Sequence, residues 1–496
     1  MFFVDIERKV CYDIFQMKGA KFMGILEHLC PKEALRYFEE ICGIPHGSGD
    51  TAAIADYCVA FAEKHGLSYL RDDHNNVVIR KAASPGYEDH PTVILQGHLD
   101  MVCEKDPDCD IDFTKDGLRL KEDGTYIYAE GTTLGGDDGI AIAYALAVLA
   151  AKDLRHPPLE AVFTTDEETG MYGADALDMS VLQGRVLLNI DSEAEGILTA
   201  GCAGGARSTL RLPLQRETTC GPVYRVAVSG LLGGHSGVEI DKGRANANKV
   251  LGELLSKLPD VQLISINGGS KDNAIPRSCE AILISPAPDF RAAFEAAVNA
   301  LLPGLPSTET EKTFLCEAVS GSFCALTKES SNALLGLLND LPNGIQAMSL
   351  DIEGLVQTSL NLGILETSEN TARITFSVRS SVGAEKVALT QQLSALAEKY
   401  GAAYSQAGDY PAWEYQPNSR LREVMIRVFT DLYGKAPMVD VIHAGLECGI
   451  FSDRLEGLDA ISFGPQMHDI HTSRERLEIA SVERTWNYLL AVLAEL

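Results

Sequence analysis

The 496-residue chain is short of positive charge: 42 Lys and Arg stand against 70 Asp and Glu, a formal net charge of −28 at pH 7. A field of that sign repels nucleic acid and anionic membrane surfaces, so neither is expected as a partner. It also concentrates cations near the surface. Paired cysteines are missing too. The 12 cysteines are scattered, with no C-x-x-C spacing, which excludes a zinc ribbon and a dithiol redox motif. A disulfide framework is not expected in so long a chain, and reduced thiols point to the cytoplasm. No apolar run is long enough to cross a bilayer. The longest, Gly139–Ala151, falls short of the ~20 residues required. At the N-terminus, Asp5, Glu7, Arg8 and Lys9 interrupt the apolar segment that a signal peptide needs. There is no G-x-S-x-G elbow, which argues against a serine hydrolase. Internal repeats and low-complexity tracts are absent.

What remains is ample apolar content, 46%, in an order that suggests layered α/β structure. Helical spacing marks Pro31–Ile41, Thr51–His65 and Gly139–Ala151; strand-like runs fall at 67–70, 77–79, 92–96, 159–164 and 185–190. This alternation predicts a mostly parallel, mixed sheet covered by helices. The middle of the chain differs. Strand-like runs at 206–214, 223–229, 279–285, 347–353, 356–365 and 371–378 share it with helical runs at 241–258, 290–302, 331–338 and 383–400. That pattern predicts an α+β unit with an antiparallel sheet. After about residue 414 the first style returns, with helices at 420–433 and 480–496. The expected organisation is one α/β domain, 1–205 and 414–496, interrupted by an inserted domain at 206–413.

Chemistry concentrates where apolar strands end. VILQGHLD closes a strand with His98 and Asp100. Residues two apart in extended chain face the same way, so His98 can ligate a metal while Asp100 orients its ring. LGGDDGI sets Asp137 at a glycine turn opening a helix. DEETG follows the 159–164 strand with three adjacent carboxylates, of which Glu168 suits a metal and Glu167 a general base. NIDSEAEG ends another strand at Asp191, and GPQMHDIHTSRERL offers His468 and His471. Taken singly, each has an ordinary structural explanation as a loop histidine, helix cap or acidic first turn. Taken together they recur in order at strand and turn ends, which converge on one edge of an open α/β sheet. Two histidines and three carboxylates suit a pair of borderline cations such as zinc, one carboxylate bridging.

The blocks IPHGSGD, LQGHLDMV, GTTLGGDDGI, TDEETGMYGA, NIDSEAEG, GGHSGVEIDKGRANANK, NAIPR, HAGLECGIF and HTSRERLEI resemble those of the dinuclear-zinc aminoacyl-histidine dipeptidases, also called Xaa-His or cytosol non-specific dipeptidases. The resemblance spans roughly residues 23–496. It implies a zinc-peptidase-type catalytic domain with an inserted lid, and two zinc ions whose places manganese or cobalt can take. By the same resemblance His98 and Asp191 hold one ion, Glu168 and His471 the other, and Asp137 bridges. Asp100 orients His98, Glu167 is the base, and His235 in GGHSG stabilises the oxyanion. Asn273, Arg379 and His443 contact substrate. The family carries proline two residues after its final histidine; Ser473 stands there in this chain. The activity implied is hydrolysis of unsubstituted dipeptides, of Xaa-His type or broader, by a homodimer joined through the lid. Two rivals share the residue pattern: an N-acyl-amino-acid amidohydrolase, and a non-catalytic metal-binding scaffold that should have lost a ligand or the base.

Overall fold

A computed structural model describes residues 24–321 and 323–496. The charged segment Asp5–Lys9 lies outside the described residues. Among the described residues the first helix, Lys32–Cys42, follows Pro31 and buries Leu35, Phe38 and Ile41 on one face. Ala52–His65 ends at Gly66, whose left-handed φ of 65° closes the helix.

Both predicted sheets are present. The first has eight strands, and its centre runs Val77–Lys81, Leu159–Thr164, Val93–His98, Val186–Asn189, Asp459–Ser462. The last four of these are mutually parallel. The strands VILQGH and LEAVFT are buried along their whole length, as expected of parallel strands covered on both faces. One face carries Val93, Leu95, Ala161, Phe163 and Leu188 against the helix Gly136–Ala150, which beyond Asp137 and Asp138 is apolar. The other carries Ile94, Val162 and Leu187 against Ile450 and Phe451 of the helix Cys448–Arg454.

The second sheet has nine strands, all antiparallel, drawn from residues 204–410. It shares a separate core with the helices Ala247–Ser256, Phe290–Leu301, Lys328–Asp340 and Gly383–Lys399. Three of its strands, Gln262–Gly268, Thr313–Val319 and Ala403–Tyr410, are additional to the sequence reading, and two elements of this unit are shifted from it. The helix expected over 241–258 starts only at Ala247, because Gly243 turns left-handed and the Asn246 side chain caps Asn248 and Lys249. The strand expected over 347–353 runs instead over Gly344–Met348; Ser349 and Leu355 then close a turn into the Val356–Thr367 strand.

Candidate metal centre

Parallel order brings the ends of three strands to one sheet edge. His98 ends its strand, Glu167 and Glu168 follow the next, and Asp191 follows Val186–Asn189. A fourth contribution comes from the start of the Gly136–Ala150 helix, where Asp137 and Asp138 leave helical geometry. The helix can lie this close because position 97 is glycine: a Cβ there would stand 2.4 Å from Asp138 Oδ2 and 2.7 Å from the Ala141 Cβ. His471 arrives from the C-terminal loop with a left-handed φ of 58°, uncommon for a non-glycine residue.

Side-chain donors meet there. His98 Nε2 lies 3.0 Å from Asp137 Oδ1 and 3.8 Å from Asp191 Oδ1. His471 Nε2 lies 3.1 Å from Asp137 Oδ2 and 2.9 Å from Glu168 Oε1. Each oxygen of Asp137 therefore faces a different histidine. Zinc with ligands at about 2.0–2.1 Å spaces tetrahedral ligand atoms about 3.3–3.4 Å apart. Among the described residues His98, Asp137 and Asp191 form one triplet that could hold an ion, Asp137, Glu168 and His471 a second, and His98, Glu167 and Glu168 a third. The donor set fits two borderline cations, with Asp137 common to both.

The charges show why something positive belongs here. Burial pushes the Asp191 pKa well up, and Asp138 and Asp137 add to it. Glu167 is pushed up to about 8 by burial, opposed by His98 and reinforced by Glu447, Glu168 and Asp137. In the opposite sense, hydrogen bonds donated to the Asp137 and Glu168 carboxylates raise His471 to about 10. Of the three carboxylates in DEETG, Asp166 turns away and accepts the Gly49 N–H at 2.6 Å.

Asp100 differs in detail from expectation. The His98 Nδ1 contact at hydrogen-bond distance is the Asp100 carbonyl oxygen, 2.9 Å; the carboxylate is 3.6 Å away. That carboxylate instead accepts from the Glu167 N–H at 3.1 Å, the Glu168 N–H at 3.4 Å and Ser48 at 2.8 Å. It ties the turn carrying Glu167 and Glu168 to the strand carrying His98. Sequence reasoning missed Glu475, whose carboxylate accepts the N–H groups of Leu134, Gly135 and Gly136 at 2.9, 3.3 and 2.8 Å. It fastens the loop bearing His471 to the turn before Asp137. Ser473, in the proline's place, donates to Asp106. His468 sits apart, edge-on to Tyr126.

Of the remaining expected residues Arg379 is on the Thr371–Ser380 strand of the nine-stranded sheet, His235 and Asn273 are at a separate two-stranded pair, and His443 follows the Met438–Ile442 strand of the eight-stranded sheet. His235 pairs with Ala274, next to the exposed Asn273, whose carbonyl accepts the Ser236 N–H. His235 Nδ1 accepts N–H groups from Gly237 and Val238 at 3.2 and 3.3 Å. The neutral ring must then carry its proton on Nε2 as a free donor. Burial and the Arg379 charge lower the His235 pKa. The same two influences lower His443 to about 4. Arg379 makes no salt bridge among the described residues, and its Nε is buried without a partner. Its Nη1 donates to the Tyr410 hydroxyl at 3.1 Å. Tyr410 also feels the Glu167 charge, which makes it the link between the two groups.

A model of Peptidase family M20/M25/M40 matches residues 94–495, and the chain belongs to that family. Among its relatives, the cytosol non-specific dipeptidase of Escherichia coli (strain K12) is 38% identical over 96% of this chain and 99% of its own. The aminoacylhistidine dipeptidase structure from Vibrio alginolyticus superposes with a TM-score of 0.90 at 36% identity, covering 96% of this chain and 99% of the other. Aminopeptidase PepT from Bacillus cereus, 15% identical with a TM-score of 0.55 over 94% of this chain and 99% of that one, shares the fold.

Proposed function

We propose that this M20 metallopeptidase is a dipeptidase acting on unsubstituted dipeptides, Xaa-His among them, with two zinc ions. One observation carries the reading. Anionic groups cluster at the edge of one sheet, Arg379 stands without a salt bridge among the described residues beside His235 and His443, whose pKa values it helps to lower, and Tyr410 lies between the two groups. A substrate with a free amine and a free carboxylate a short distance apart matches that polarity. The names of the E. coli and Vibrio proteins support the same reaction. His98 and Asp191 would hold one ion, Glu168 and His471 the other, and Asp137 both. Zinc in such a site supplies Lewis acidity and hydroxide near pH ~7.

The chain's own residues do the rest. Glu167 takes a proton from the attacking water and passes it to the leaving amine. Burial raises its pKa and two cations beside it would lower it again. The His235 Nε2–H donates to the oxyanion as it forms. Arg379 binds the substrate carboxylate, with Asn273 and His443 beside it. Asp100 holds the Glu167 and Glu168 backbone in register. We further infer that residues 206–413 act as a lid and join two copies: Val238, Met348 and Leu350 are apolar yet 60%, 44% and 99% exposed there. The E. coli relative's name supports a cytoplasmic location, and among the described residues no helix is long and apolar enough to cross a membrane.

A panel of dipeptides, tripeptides and N-acyl amino acids, run on metal-stripped and zinc-reloaded protein, tests the reading. Turnover confined to free dipeptides and dependent on zinc is expected. Preference for N-acyl amino acids would assign the site to an amidohydrolase instead. Light scattering should give twice the chain mass, and a monomer would remove the lid-joined pair.

A further inference from the structure

Directly beneath the proposed ligands lies a buried polar row that the mechanism does not use. Along the Val93–His98 strand, Ile94, Gln96 and His98 share a face. Across the sheet Gln96 sits opposite Asn189 on one side and Val162 on the other, and His98 sits opposite Thr164. One step further from the ligands Ile94 lies between Leu187 and the buried Glu160, whose carboxylate is taken up by Arg80 and by the Gln183 and Gly184 N–H groups, while Ile94, Val162 and Leu187 share an apolar core with Ile450 and Phe451. A carboxylic acid, Glu447, enters between the two levels from the start of the Cys448–Arg454 helix with 0% exposure.

Its Oε2 accepts from Gln96 Nε2 at 2.5 Å and from Thr164 Oγ1 at 2.6 Å. Gln96 Oε1 in turn accepts from Asn189 Nδ2 at 2.5 Å. Oε1 of Glu447 is buried and without a partner. Burying a carboxyl in this way is costly, and desolvation pushes its pKa up to about 7. An apolar residue would complete the layer at lower cost, so stability alone does not account for the glutamate.

We propose that Glu447 is a positioning residue for the metal centre. Through Gln96, Thr164 and Asn189 it ties together the three strands that deliver His98, Glu167 with Glu168, and Asp191. Each tie lies two residues before His98, two before Asp191 and three before Glu167. A slip of any strand along its axis would move one ligand relative to the others. This inference rests on the two-metal reading above.

The test is zinc affinity of metal-stripped protein, measured by competition with a chromophoric chelator and needing no substrate, alongside kcat and KM on a dipeptide. E447A should weaken zinc binding by about 10–100-fold and lower kcat with little change in KM. E447Q, whose amide oxygen can accept both incoming hydrogen bonds, should recover most of that affinity. Wild-type affinity in E447A overturns the proposal, and so does E447Q binding as poorly as E447A. Should E447A fail to fold, T164V removes one donor without opening a charge-sized gap. A several-fold loss of affinity there supports the tie; none overturns it. Wild-type protein that binds no zinc at all would instead bring down the metal assignment on which the inference stands.

Discussion

The two clusters in this molecule are opposites. At the edge of the eight-stranded sheet, Asp137, Asp138, Glu167, Glu168 and Asp191 crowd around two histidines. On the nine-stranded sheet, Arg379 lies near His235 and His443 with no acidic side chain bonded to it among the described residues. Like charges held close are unfavourable in a low-dielectric site unless a counter-charge arrives. Burial, reinforced by neighbouring carboxylates, raises the pKa values of Asp138, Glu167 and Asp191, while the two histidines hold that of Asp137 down; burial and the Arg379 charge lower those of His235 and His443. Each cluster is unfinished in its own sense, and the missing charges are those of two cations and a small zwitterion.

The severest way to break this contrast is to delete the residue that both proposed ion sites share. Asp137→Ala should lose both ions and all measurable turnover, with metal content read by elemental analysis. Retention of two zinc ions would show that the triplets do not depend on it. Glu167→Ala separates base from ligand: about 10²–10⁴-fold loss of kcat, with zinc content unchanged. His235→Ala should cost about 10²–10³-fold in kcat, the usual loss for one oxyanion donor.

Arg379 tests the basic side alone. A hydrogen bond to a charged group contributes about 1.5–3 kcal/mol, so Arg379→Met should lower kcat/KM about 10- to 150-fold, mainly through KM. It should also abolish discrimination between a dipeptide and its C-terminal amide. Unchanged discrimination would move the substrate carboxylate elsewhere.

The contrast also marks what a sequence reveals. His98, Glu168 and Asp191 stood out as candidates because apolar strands end at or just before them, and parallel order puts such ends together. His471 could be preferred to His468 only by resemblance to a family, since both lie in one polar loop. Glu475 and Glu447 were not legible as parts of the site. A glutamate that accepts three backbone N–H groups, or ties three strands from a helix start, looks in sequence like any loop glutamate. Asp138 looked like a helix cap, yet its Oδ2 accepts the His98 N–H at 3.2 Å and its Oδ1 is buried without a partner. The edge strand Ala403–Tyr410 was missed because AYSQAGDY is polar and largely exposed, giving no apolar alternation to read. That strand carries Tyr410, so the link between the clusters was missed with it.

The smallest expected effect concerns His443. Its Nε2 pairs with Ser359 Oγ at 2.7 Å while Nδ1 is buried and unpartnered. Burial and Arg379 hold its pKa near 4 in the fold, against about 6.5 in the unfolded chain. Between those values the unfolded state binds the extra proton, so stability rises with pH across that window. This contribution is complete above about pH 6.5 and is lost as the pH falls towards 4. His443→Gln, which keeps a polar contact for Ser359 but does not titrate, should flatten that part of the melting-temperature profile relative to wild type. The comparison must be made as a difference between the two proteins, because burial lowers His46 and His156 as well. Parallel profiles for wild type and His443→Gln from pH 4 to 7 would mean that the Arg379 side of the molecule does not exclude positive charge, and the opposition between the two clusters would lose half its basis.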